Sequence, residues 1–188
     1  MLDAVENGDA KKLAELIRQD PGFNVNGDQD GYGSTLLHYA CLTNGGSAVI
    51  PLLLAHPNID VNAKTIYGNP PFFGACDEGR IPCVRQMLQD SRVKVNEKDD
   101  DGRTALWSAA ANGHLDTIKL WIASGREIDL GKPGDVEYTD AIAQAKKWGR
   151  AEIATLLERF KSDATQTRHA VRLEIGWLMS WLPRCSRW

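Results

Sequence analysis

Several signatures are missing from this 188-residue chain. No run approaches the roughly 18 consecutive apolar residues that a membrane-spanning helix needs. The start, MLDAVENGDAKK, has neither the basic opening nor the apolar stretch of a secretory signal. Cysteine is sparse: Cys41, Cys76, Cys83 and Cys185 form no C-x-x-C pair and no dense framework, a pattern that suits a reducing compartment. Charge of one sign is not in large excess. The formal net charge of -3 gives no general reason to expect nucleic acid as a partner. Enzyme signatures are absent too: G-x-S-x-G, H-E-x-x-H and G-x-x-x-x-G-K followed by Ser or Thr do not occur. These absences lead us to expect a cytoplasmic protein with no catalytic step and no cofactor.

What is present is repetition. With 43% hydrophobic and 25% charged residues the chain can bury a core. A β-branched residue followed by Asn or Asp recurs as Val25-Asn26, Val61-Asn62, Val95-Asn96 and Ile128-Asp129, at intervals of 36, 34 and 33 residues. A polar, Gly-bearing stretch follows each pair (GDQDGYGS, AKTIYGN, EKDDDGR, LGKPGDVEY), which is turn chemistry. Next come a short helical segment (TLLHYACL, PPFFGACDEG, TALWSAAANG, DAIAQAKKWG) and, after a Gly or Asn, a second amphipathic one. Each unit is therefore a turn, a short helix and a longer helix.

TLLHYA (Thr35 to Ala40) and TALWSA (Thr104 to Ala109) resemble the T-P-L-H-x-A opening of the ankyrin repeat. PPFFGA keeps Pro71 and Ala75 but lacks the Thr and His. DAIAQAKKWGRAEIATLLE keeps the helix, Gly149 and the EIATLLE pattern without the opening Thr-Pro, and LDAVENGDAKKLAELIRQD looks like a truncated first repeat. The resemblance covers about Leu2 to Phe160. It implies an all-α ankyrin-repeat solenoid of about five helix-turn-helix units with turn or hairpin connections, whose departures at both ends are those of capping repeats.

Repeat position also decides the reading of single residues. Trp121 shares a slot with Leu53, Met87 and Leu156, so it is expected in the core, and Trp107 occupies the slot of His38. His114 begins a second helix where sister units place Arg80 and Arg150. Cys41 is the equivalent of Cys76 and Ala110, a small buried slot, so neither a zinc site with His38 nor a disulfide is expected. KDDDG at Lys98 to Gly102 lacks the ligand spacing of a calcium loop and reads as an exposed acidic turn.

The chain divides into a repeat domain, 1–160, and a tail, 161–188, with basic residues Lys161, Arg168, Arg172, Arg184 and Arg187 against Asp163 and Glu174. A C-terminal amphipathic helix from about Ala170 to Leu182 would gather Val171, Ile175, Leu178, Met179 and Leu182, with Trp177 and Trp181 beside them, until Pro183. Such a helix could dock on the last repeat, or lie on a membrane surface or in a partner's groove.

The resemblance implies a protein-protein interaction scaffold or adaptor whose partner lies on the concave face; the alternative is a membrane-associated regulator acting through the tail. The positions matching that face are Ile66, Tyr67, Asn69, Asp77 and Glu78, then Asp100, Asp101, Arg103, Ala111 and Asn112, and Lys147 and Trp148 in the last unit. Tyr32, Leu42 and Thr43 add to them, although an extra residue in GDQDGYGS blurs their alignment.

Overall fold

The amphipathic segments form helices in pairs. In the computed structural model, which describes residues 1–20, 22–132, 134–135 and 139–176, the first unit is α1 (Leu2–Glu6) with α2 (Ala10–Gln19). The second is α3 (Leu36–Leu42) with a short 3-10 turn, Gly46–Ala48, and α4 (Ile50–Leu54). Then follow α5 (Pro71–Asp77) with α6 (Ile81–Gln89), α7 (Ala105–Asn112) with α8 (Leu115–Ser124), and α9 (Ala141–Lys147) with α10 (Ala151–Ser162). A further helix, α11 (Ala164–Glu174), comes directly after. Among the described residues there are no strands, only an isolated antiparallel bridge between Lys98 and Thr104.

Local chemistry sets the helix ends. The Asp9, Asp140 and Asp163 carboxylates accept the N–H groups of Lys12, Ala143 and Gln166, and Thr104 Oγ1 accepts that of Trp107, each satisfying a donor that a first turn leaves open. Pro51, Pro71 and Pro82 stand in first turns, where their missing N–H costs nothing. Gly113 and Gly125 end α7 and α8 in the left-handed region, with φ of 86° and 81°.

The first helices stack in series, α1 on α3, α3 on α5, α5 on α7 and α7 on α9, while α4, α6, α8 and α10 form a second layer. Apolar faces meet between the layers. Leu53, Met87 and Trp121 are fully buried and Leu156 nearly so, so the shared repeat slot is one continuous core. Trp121 meets the edge of Phe72 at 5.0 Å and 82°, and its indole N–H donates to the Glu127 carbonyl at 3.2 Å. Cys41, Cys76 and Ala110 are all buried, and the three described cysteines are free. Burial pushes the Cys41 and Cys76 thiols well above their ordinary range and that of Cys83 up to about 11.

Side chains from the third, fourth and fifth units clasp the unit before. His114, at the start of α8, donates through Nε2 to the Asp77 carbonyl at 2.7 Å; Arg150, at the start of α10, donates to the Ala111 carbonyl at 3.3 Å; Arg80 reaches Asn44. These groups meet the C-terminal ends of the preceding first helices, where carbonyls lack partners. Arg92 donates to the Leu54 carbonyl at 2.8 Å, and Arg126 to those of Leu88 at 3.3 Å and Asp90 at 2.8 Å, at the ends of α4 and α6. Asn26 and Asn62 bridge the turns in the same manner: Asn62 donates to the Arg92 carbonyl at 2.9 Å and accepts the Lys94 N–H at 2.8 Å. Asn96 accepts the Asp129 N–H at 3.2 Å.

The helix of the tail starts earlier than its apolar pattern suggests. It begins at Ala164, not near Ala170, because Asp163 caps it, and it packs on α10 and α8. Thr167 and Val171 are buried there, and Arg168 and Arg172 donate to the carbonyls of Ile122 at 3.0 Å and Ala123 at 2.7 Å. Lys119 and Glu174 add an ion pair at 2.5 Å. The expected contacts of Trp177, Leu178, Met179, Trp181 and Leu182 lie outside the described residues.

Candidate partner-binding surface

The turns project beyond the first helices and are joined edge to edge. The Ile66 N–H donates to the Tyr32 carbonyl at 2.8 Å, and the Asp100 N–H to the Tyr67 carbonyl at 3.1 Å, so three successive tips are connected by backbone. Gly68, at φ 76°, passes so close to Asp100 that a side chain there would collide with it. On this row Tyr32, Ile66 and Tyr67 are 52%, 58% and 57% exposed, and the two tyrosine rings stack with centroids 6.3 Å apart. Large apolar side chains left this open across neighbouring tips form a contiguous ridge.

The acidic turn differs from its sequence reading at one residue. Asp100 and Asp101 are exposed, but Asp99 is buried: it accepts the Arg103 N–H at 2.8 Å and pairs with its guanidinium at 2.7 Å. Arg103 also pairs with Asp101 at 2.7 Å, so its charge is matched within its own turn.

Behind the tips, α5, α7 and α9 enclose a cleft of about 450 Å³ that brings together Asn69, Asp77, Arg103, Ala111, Asn112 and Trp148 of the expected positions. Trp107, in the slot that His38 holds in the second unit, also lines it. In the second unit His38 sits there buried, accepting the Thr35 N–H on Nδ1 at 3.0 Å and donating from Nε2 to the Asn69 carbonyl at 3.0 Å, which ties two turns together. Burial lowers the His38 pKa, against the pull of its Asn69 bond and of Asp30. The indole of Trp107 is half-buried and wider.

Asp77 is not an independent rim charge. Its Oδ1 accepts from the Ser108 hydroxyl and from the Asn112 amide at 2.9 Å, which also donates to its carbonyl at 3.0 Å. Glu78 is exposed beside Arg80 at 3.5 Å, and Lys147 and Trp148 are exposed at the end of α9. Leu42 is 39% exposed and touches the position of Gly74 on α5; Thr43 donates back to the Tyr39 carbonyl at 2.9 Å. Ile66, Tyr67, Asp100 and Asp101 thus lie on the tip row, apart from the residues of the cleft. Among the described residues no group of three or more His, Cys, Asp or Glu could hold a metal ion, and no helix is long and apolar enough to cross a membrane.

The family model for ankyrin repeats (3 copies) matches residues 1–99 and 72–168. The chain belongs to the ankyrin-repeat family. Ankyrin repeats are in general protein-interaction modules, a fold without catalytic machinery of its own. Human SMC5-SMC6 complex localization factor protein 1 is 31% identical over 150 residues, covering 77% of this chain and 14% of that protein. Human transient receptor potential cation channel subfamily A member 1 is 37% identical over 101 residues, 52% of this chain and 9% of the channel. Mouse Rabankyrin-5 is 30% identical over 102 residues, 54% of this chain and 9% of its own length. The chain thus spans at most 14% of these relatives, matching a small part of each.

Proposed function

We propose that this ankyrin-repeat chain is a non-catalytic adaptor that binds a protein partner across its turn tips and the inner faces of its first helices. The observation that carries this reading is the exposed ridge of Tyr32, Ile66 and Tyr67. Aromatic anchors surrounded by polar groups are the residues on which binding energy concentrates. Around the ridge stand the exposed Asp100 and Asp101, so the partner surface has an apolar pocket and a basic border. A scaffold role also agrees with the likeness to a protein named as a localization factor. The repeats, residues 1–160, are the binding unit in this reading, and α11 of the tail is their C-terminal cover, supported by its packing on α10 and α8. The setting is the cytoplasm, supported by the free, buried thiols of Cys41, Cys76 and Cys83.

Paired baits test it. Wild-type chain and an Ile66→Ser, Tyr67→Ala double variant are used to capture partners from the same extract, followed by binding kinetics with each purified partner. Partners held by the wild type and lost by the variant support the ridge as the contact. Equal recovery and equal dissociation rates place the interface elsewhere and overturn the reading.

A further inference from the structure

We propose that the cleft between α5, α7 and α9 receives a basic side chain, Arg or Lys, of the bound protein; the inference rests on the partner-binding reading above and names what that face selects. The lining takes Asn69 and Asp77 from α5 and the turn before it, Trp107 from α7, and Trp148 from the end of α9. The volume, about 450 Å³, accommodates a long side chain.

Acceptors without donors give the cleft its chemistry. Asn69 Oδ1 is buried and has no hydrogen-bond partner, a state that costs free energy until a donor arrives. Asn69 is itself part of the cleft lining. Asp77 uses one carboxylate oxygen for Ser108 and Asn112, while the other accepts no hydrogen bond from the described residues. A guanidinium or ammonium supplies donors to both, and its aliphatic stem lies along the indoles, where a cation over an aromatic face is attracted by the ring quadrupole.

Among the described residues, the two cations of the lining, Arg103 and Arg150, donate neither to Asn69 Oδ1 nor to Asp77. Arg103 is matched by Asp99 and Asp101, and Arg150 has its Nε on the Ala111 carbonyl. The Asp77 carboxylate in the lining favours a cationic side chain over an anionic one.

The test follows the indole N–H resonances of the full chain by NMR, with Trp107→Phe and Trp148→Phe to assign them. N-acetyl-arginine amide and N-acetyl-lysine amide are the probes, and N-acetyl-citrulline amide is the uncharged control. The expected result is a saturable shift of the Trp107 and Trp148 signals with either basic probe and none with citrulline. Asp77→Asn keeps the oxygen that Ser108 and Asn112 use while removing the charge, and weakens the arginine probe about tenfold. Trp148→Ala, at an exposed position, does the same should Asp77→Asn alter the fold. Absence of a saturable shift, an equal response to citrulline, or shifts confined to other tryptophans overturns the proposal. A partner that needs Tyr67 but binds the Asp77→Asn chain unchanged overturns the cleft assignment alone and leaves the partner-binding reading standing.

Discussion

Trp121→Ala removes the largest fully buried side chain of the described core, and its cost can be worked from its surroundings. Deleting a buried Trp costs about 3 to 5 kcal/mol through lost transfer free energy and the cavity left behind. Of this, the edge contact with Phe72 accounts for about 0.5 to 1.5 kcal/mol, and the bond to the Glu127 carbonyl for about 1 kcal/mol. Native domains hold only about 5 to 15 kcal/mol in total, so Trp121→Phe is the milder companion. It retains a ring against Phe72 and should lose about 1 to 2 kcal/mol, through the missing N–H and the smaller volume. Urea denaturation followed by circular dichroism reads both. With a slope of about 2 kcal/mol per molar, Trp121→Ala lowers the midpoint by about 2 M and Trp121→Phe by less than half that. Because each unit contacts only its neighbours, amide exchange should rise first in α5 to α10. A midpoint lowered by less than about 0.5 M in Trp121→Ala refutes the continuous core through this slot.

Four further outcomes follow. Gly79 has φ 64°, and a Cβ there would stand 2.5 Å from the His114 ring, so Gly79→Ala lowers the thermal midpoint and His114→Ala added to it recovers part of the loss. Asn62→Ala removes the bridge to Arg92 and Lys94 and costs about 1 to 3 kcal/mol by chemical denaturation; an unchanged midpoint sinks the turn-anchor role. Truncation after Ser162 removes α11, lowers the melting temperature and raises binding of an apolar dye, whereas an unchanged melt means that α11 contributes no cover. For His38, burial lowers the folded pKa below its ordinary value of 6.5, so the unfolded chain binds the proton more readily. The stability this supplies is complete above about pH 6.5 and is lost as pH falls toward the folded pKa. His38→Gln should flatten that part of the stability profile, and an unaltered profile rejects the assignment.

The units were legible because the Val25, Val61, Val95 and Ile128 slots return in register, and all of the helix pairs follow from them. The exposed Ile66 and Tyr67 were legible for the same reason, since repeat position places them at a tip. Pairings between units were not. Nothing in the run of acids at Lys98 to Gly102 marks Asp99 as the one drawn inward, because the cause is the guanidinium of Arg103 folding back on it. Asp77 reads as a surface charge until Ser108 and Asn112, 31 and 35 residues further on, are brought against it. The start of α11 did carry a signal: Asp163 followed three residues later by Gln166 is a capping pattern. The apolar spacing from Ala170 onward points to a later start than this cap sets.

The clasps described above run from the third, fourth and fifth units to the one before: Arg92 to Leu54, Arg126 to Leu88, His114 to Asp77 and Arg150 to Ala111. An in-frame duplication or loss of one whole period therefore leaves each clasping side chain facing a helix end of the kind it already fits. Gene rearrangement can lengthen or shorten such an array without inventing new core contacts. A point substitution that breaks a clasp, in contrast, is rescued only by a change in the adjoining unit, so compensating changes should be sought one period away, in neighbouring units of the same gene.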